Sequence, residues 1–147
     1  MSSPTGKSKE LKIISRQVVT LDDVKKNKKA LILLHIIKHL GNVSEKGLTQ
    51  LVYEMKEKGL DIGYQFVKIG KVIGSNELHQ DVMDMLYLNL IEKVPGRNKL
   101  RLTADGEEFL EKVKLPEEEL KRILQLVDEL KSSISTIEAE AEMRRGP

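Results

Sequence analysis

The segment that most limits what this chain can become is SNELHQDVMDMLYLNLIEKVPGRNKLRLTADGEEFL, residues 75–110. It reads as helix, strand, tight turn, strand and helix in close succession. Ser75 stands as an N-cap before a helix reaching about Asn89, with Leu78, Val82, Met85, Leu86 and Leu88 at inward spacing. Asn76, Glu77, His79, Gln80, Asp81 and Asp84 fall on its outside. LIEKV then reads as a strand, PGRN as a turn and KLRLT as a second strand. Strand alternation sends Leu100 and Leu102 to one side and Lys99 and Arg101 to the other, and Arg97 at the turn extends that basic row. Thr103 caps a closing helix, ADGEEFLEKV, with Phe109, Leu110 and Val113 on its buried side. The class this predicts is mainly α, of α+β type.

Upstream, Thr20 caps a helix with Asp22 and Asp23 in its first turn, predicted to run to Leu40 and stop at Gly41-Asn42. Its second half, ALILLHIIKHL, is apolar nearly all round and predicts the central core helix. Ser44 caps the next helix, Glu45 to about Lys58, with Leu48, Leu51, Val52 and Met55 as a buried stripe and Gln50, Glu54 and Lys58 away from it. Residues 60–74 alternate, Ile62, Tyr64, Phe66 and Lys68 against Gln65, Val67 and Ile69, and predict loop with short extended segments.

After Pro116 the apolar residues Leu120, Ile123, Val127, Leu130, Ile134, Ile137 and Ala141 follow at alternating spacings of 3 and 4. This is a heptad seam. A continuous helix of about 25 residues would reach about 38 Å, too long to lie wholly on so small a body. The seam therefore predicts a homodimer built on Leu120, Ile123, Val127, Leu130, Ile134 and Ile137, with parallel and antiparallel pairing both open. Three segments result: a basic, flexible tail (1–16), a compact body (17–114) and a coiled-coil helix (115–147). Residues 11–19, LKIISRQVV, read equally as a strand or a first helical turn.

Composition excludes several classes of function. The chain has no Cys, hence no disulfide, Cys-based zinc site or thiol nucleophile, and this fits a reducing cytoplasm. The N-terminus lacks the apolar run of a signal peptide, and the longest apolar run, Ala30 to Leu34, is too short to span a bilayer. Phosphate-loop, dinucleotide, zinc-protease and nucleophile-elbow motifs are missing. His35 and His39, spaced four apart on one helix, can in principle grip a metal, but their surroundings are apolar and without Cys. They read as ordinary, partly buried histidines. The expectation is no enzyme, no cofactor, no metal and no membrane.

Charge is unevenly spread. Residues 115–147 hold five basic and eight acidic side chains, a net −3, which leaves +5 on residues 1–114. On that basic body the hairpin row Arg97, Asn98, Lys99 and Arg101 is the best functional constellation, suited to a phosphate backbone or the minor groove. Beside it Ser75, Asn76, His79 and Gln80 begin a helix able to read base edges. The plainer reading is that cations discourage strand-edge pairing. Glu77, Asp81 and Asp84 bring negative charge to the same helix and favour a protein partner instead.

The stretch from Gly47 to Leu110 resembles the winged helix-turn-helix regulators of archaea and bacteria. Its closing L-R-L-T-A-D-G-E-E-F-L is similar to the second wing strand and following helix of PadR-type and MarR-type proteins. Leu51, Val52, Tyr53, Tyr64, Phe66, Ser75, Glu77 and Leu78 also match small phage-associated and antitoxin-type winged-helix domains, with Val72-Ile73 where those carry Gly-Pro. The resemblance implies a dimeric, double-stranded-DNA-binding transcription regulator that uses the 75–89 helix and the 95–101 wing. The alternative is a protein-interaction module: an antitoxin, adaptor or partition component.

Overall fold

The computed structural model describes residues 19–143. The basic tail expected over 1–16, and nearly all of the undecided segment 11–19, lie outside the described residues. Two helices open the described chain, α1 (Leu21–Lys25) and α2 (Lys28–Leu40). A single helix was expected here. It divides because Asn27 leaves helical geometry and caps α2, its side chain accepting from the Ala30 N–H at 3.4 Å. Strand β1 (Asn42–Val43) and α3 (Glu45–Glu57) follow. Next come β2 (Val67–Ile69), β3 (Val72–Gly74) and α4 (Asn76–Tyr87). The chain then forms β4 (Ile91–Lys93), β5 (Leu100–Leu102) and α5 (Ala104–Lys112). The protein is mainly helical with a small antiparallel sheet.

That sheet has the order β1-β5-β4, with Val43 opposite Leu100 and Glu92 opposite Arg101. β5 therefore sits in the middle, and the β4–β5 connection projects from the sheet's end. β2 and β3 form a separate hairpin around Gly70, whose φ is 63°. The alternation read from sequence recurs only as far as Phe66: Tyr64 is buried, Ile62 and Phe66 half-buried and Gln65 exposed, but Val67, Lys68 and Ile69 are all exposed, so Lys68 does not join the inner face.

Thr103 ties the sheet to α5. Its hydroxyl donates to the carbonyls of Asn89 (2.6 Å) and Leu90 (3.1 Å), and accepts from the Gly106 N–H (2.9 Å). Gly106 belongs to this joint. A Cβ there would lie 2.2 Å from the Leu90 carbonyl oxygen.

The C-terminal segment corrects the expectation of one long helix standing clear of the body. It breaks into α6 (Glu117–Leu130), a 3-10 turn (Lys131–Ile134) and α7 (Ser135–Met143). At the break the Ser133 hydroxyl donates to the Leu130 carbonyl at 2.6 Å and to Glu54 on α3. Such side-chain bonding competes with the helical ladder. The redirected segment wraps its own chain. Ile123, Val127 and Ile134 belong to the same apolar core as Leu31, Leu34 and Leu51, and Leu130 and Ile137 pack against it. Ala141 is buried as well. Lys28 with Glu119 (2.7 Å) and His39 with Asp128 (2.9 Å) pin α6 to α2 from outside. The seam expected to face a second copy thus packs on the chain's own core from Ile123 to Ile137, while Leu120 lines an open groove with Leu124.

Two substitutions test this packing. Ile123→Ala lowers the free energy of unfolding by about 2–4 kcal/mol through the cavity it leaves, with a midpoint independent of protein concentration in chemical denaturation. A concentration-dependent midpoint would place the residue between chains instead. Gly106→Ala costs about 2 kcal/mol or more, because the added methyl meets backbone that cannot yield.

Candidate nucleic-acid interface

α4 presents two different faces. Its helical spacing sets Asn76, His79, Gln80, Met83 and Tyr87 on one stripe, and all five are exposed. Glu77, Asp81 and Asp84 lie about 100° around the helix from that stripe. Asp81, expected outside, is half-buried: it accepts from the Tyr64 hydroxyl at 2.6 Å and from Asn27 Nδ2 at 3.1 Å. Burial raises the Tyr64 pKa first, and the hydrogen bond to Asp81 raises it further, so the phenol stays a donor. Glu77 accepts from the Gln65 N–H at 2.8 Å, and Asp84 from Gln80 Nε2 at 2.9 Å. Two of the three acids that argued against an approaching polyanion are thus turned toward in-chain donors on the other side of α4.

The exposed stripe meets the β4–β5 hairpin. Ser75 caps α4, accepting from the Leu78 N–H at 3.2 Å. His79 Nδ1 lies 2.7 Å from Glu45 in the first turn of α3. A small cleft of about 110 Å³ between the elements is lined by Glu45, His79, Met83, Lys93, Asn98 and Lys99. The hairpin turn has Pro95 and Gly96 at its centre, with Gly96 at φ 75° and the Arg97 N–H donating to the Val94 carbonyl at 3.1 Å. Of the sequence-derived residues, His79 of α4 and Asn98 and Lys99 of the hairpin therefore share this cleft, whereas Ser75, Asn76, Gln80, Arg97 and Arg101 are not among its lining. Sequence reasoning missed what joins them there: Ser44 and Lys46 at the start of α3, and Lys93 on β4. Ser44 was legible only as a cap. Its place beside the hairpin follows from β1 pairing with β5.

The basic row is not free. Arg101 pairs with Glu92 directly across the β4–β5 ladder, at 2.7 Å. Arg97 pairs with Glu142 on α7. Lys99, expected on an open strand face, is only 8% exposed. Its ammonium lies 3.0 Å from Glu142 and 3.4 Å from Glu138. Asn98 donates its N–H to the Ala141 carbonyl at 3.3 Å. The acidic C-terminal arm, read as a separate coiled coil, lies over the hairpin instead.

His39 pairs with Asp128, and the buried Nε2 of His35 has no hydrogen-bond partner. Burial, then the nearby Lys38 charge, holds the His35 pKa below its usual value and keeps the ring neutral. Among the described residues no group of three potential ligands is placed to hold a metal, and no helix is long and apolar enough to cross a membrane. No family model, no curated protein and no solved structure matches the chain.

Hydrogen bonds from Lys99 and then Arg97 hold the Glu142 carboxyl below its ordinary value of 4.5. A depressed folded-state value means that the unfolded chain binds more protons in acid. The contribution of Glu142 is thus present above pH 4.5 and lost as pH falls through the folded value. In circular-dichroism melts, wild type should exceed Glu142→Gln in thermal midpoint at about pH 6, with the gap closing in acid. A gap unchanged across that range would show that the carboxylate charge has no part in holding α7.

Proposed function

We propose that this protein is a winged-helix protein that binds double-stranded DNA and acts in transcription regulation. The observation that carries the reading is the convergence of three elements on one surface. His79 and Met83 of the exposed α4 stripe, Asn98 and Lys99 of the β4–β5 hairpin, and Glu45 in the first turn of α3 line one cleft, and Arg97 and Arg101 belong to the same hairpin. The element order from α2 supports it: helix, strand, helix, a separate β2–β3 hairpin, helix, strand, strand, with the last strand between β1 and β4. In this arrangement α4 enters the major groove by its N-terminal half, and the hairpin follows the flanking backbone. Phosphate contacts supply most of the affinity, and Asn76 and Gln80 are the base-edge readers. Homodimerisation, expected from the heptad spacing, is not needed for this reading, because the seam packs on the chain's own core.

A protein-interaction module is the second reading. It is favoured by large apolar side chains left in solvent: Val67, Ile69 and Val72 on the β2–β3 hairpin, and Met83 and Tyr87 on α4. The classes separate on salt. Duplex binding by the full chain should weaken steeply between 50 and 200 mM salt, roughly as the number of phosphates contacted. Arg97→Ala/Arg101→Ala should lower affinity and flatten the log–log salt slope by about 2. Absence of salt-sensitive duplex binding at up to about 100 µM protein, the weak end of non-specific binding, overturns the DNA reading and leaves the protein-partner one.

A further inference from the structure

The start of α3 and the base of the hairpin form a cradle for anions, and the chain's own carboxylates sit in it. Glu138 accepts from the Ser44 N–H at 3.0 Å and from the Ser44 hydroxyl at 2.6 Å. It lies so close to Gly47 that a Cβ there would be 1.9 Å from its Oε2. Lys99 bridges it to Glu142, which also takes Arg97. A helix N-terminus, a largely buried lysine and a hairpin arginine make up the donor set a phosphodiester backbone calls for. Glu138 and Glu142 stand one helical turn apart, about 6 Å along α7, much as neighbouring phosphates stand on a strand. Each carries one negative charge and paired acceptor oxygens, as a phosphodiester does.

α7 is held by ion pairs and by a short apolar contact. Within it Ala141 is buried and Ile137 half-buried, whereas Ser135, Thr136, Ala139, Glu140 and Glu142 are exposed. Beneath it lies an open cleft of about 400 Å³, lined in part by Leu40, Val43, Lys99 and Glu138. By contrast α6 is anchored through Ile123 and Val127, and the 3-10 turn at Lys131–Ile134 separates the two helices. α7 is thus a weakly packed segment behind a ready hinge.

We propose that α7 is a built-in competitor for nucleic-acid phosphate: Glu138 and Glu142 occupy the seats of two backbone phosphates, and the duplex-binding form of the protein has α7 released. This rests on the DNA reading above and adds its regulation. With α7 docked, Arg97, Lys99 and the α3 N-terminus are already satisfied, and a duplex must displace the carboxylates to reach them. Apparent affinity is then reduced by the fraction of molecules with α7 open.

The absence of cysteine allows a clean test in the full chain. Asn98→Cys/Ala141→Cys places two thiols where the backbones are already hydrogen-bonded, so that oxidation locks α7 on the hairpin. Fluorescence anisotropy with a labelled random-sequence duplex, at one fixed salt, compares the oxidised and reduced forms. The locked form should bind at least about tenfold more weakly, and Glu138→Gln/Glu142→Gln should bind about tenfold more tightly than wild type. Equal affinity of the locked and reduced forms overturns the competitor role while leaving the DNA reading intact. No salt-sensitive duplex binding by wild type, the reduced form or the Gln variant overturns the DNA reading itself. The lock keeps α7 in its native place, so its outcome does not depend on a chain that fails to fold.

Discussion

The structure is organised by the need to cover α2. Leu33, Leu34, Ile36 and Ile37 have no exposed surface, and Ala30, Leu31 and Ile32 have almost none. A helix apolar on nearly every face cannot lie on a protein surface without leaving apolar area in water. Several elements are therefore recruited around it. β1 and β5 cross one side, α5 lies on another, and α6 returns from the C-terminus to close a third. This explains the fate of the heptad seam. Its apolar row is complementary both to a second copy and to the open side of α2 and α3. Within one chain the second option involves no association entropy.

Covering α2 with α6 has an electrostatic consequence. Once α6 is docked, the chain beyond it must run past the sheet. The 3-10 turn then directs an acidic helix over a basic hairpin. Opposite charges that sequence assigns to separate segments, −3 on residues 115–147 and +5 before them, become close neighbours. Lys99 ends nearly buried, and two carboxylates meet its ammonium. Such a pair contributes little net stability if its desolvation is large. It does control which groups are available to anything else.

The same geometry sorts α4. On a helical wheel its polar residues merge into one outer arc, and the acids weaken the case for nucleic acid. In three dimensions Asp81 turns to Tyr64 and Asn27, and Glu77 turns to the Gln65 N–H. What remains outward is a stripe of Asn, His, Gln, Met and Tyr, with Glu77 exposed beside it. The distinction depends on where the 60–74 connection passes, and no periodicity within α4 encodes that.

Local features were legible from sequence because their causes act within four residues. Thr20, Ser44, Ser75 and Thr103 each cap a helix three residues ahead through one side-chain oxygen. Leu48, Leu51, Val52 and Met55 form a stripe because 3.6 residues make a turn. The hairpin turn follows from Pro95 and Gly96. The split between α1 and α2 escaped because Asn27 sits inside an otherwise helical run, and only its backbone reveals it as a cap. The decisive pairings lie far apart in the chain: His39 with Asp128 across 89 positions, Ser44 with Glu138 across 94, and Arg97 with Glu142 across 45. Sequence alone determined the helix caps, the β4–β5 hairpin and which faces are apolar, but not the breaks at Asn27 and at Lys131–Ile134 or the short strand β1. Tertiary structure alone decided which apolar face covers which, and which carboxylate meets each cation, because those choices minimise exposed apolar area and unpaired charge over the whole chain at once.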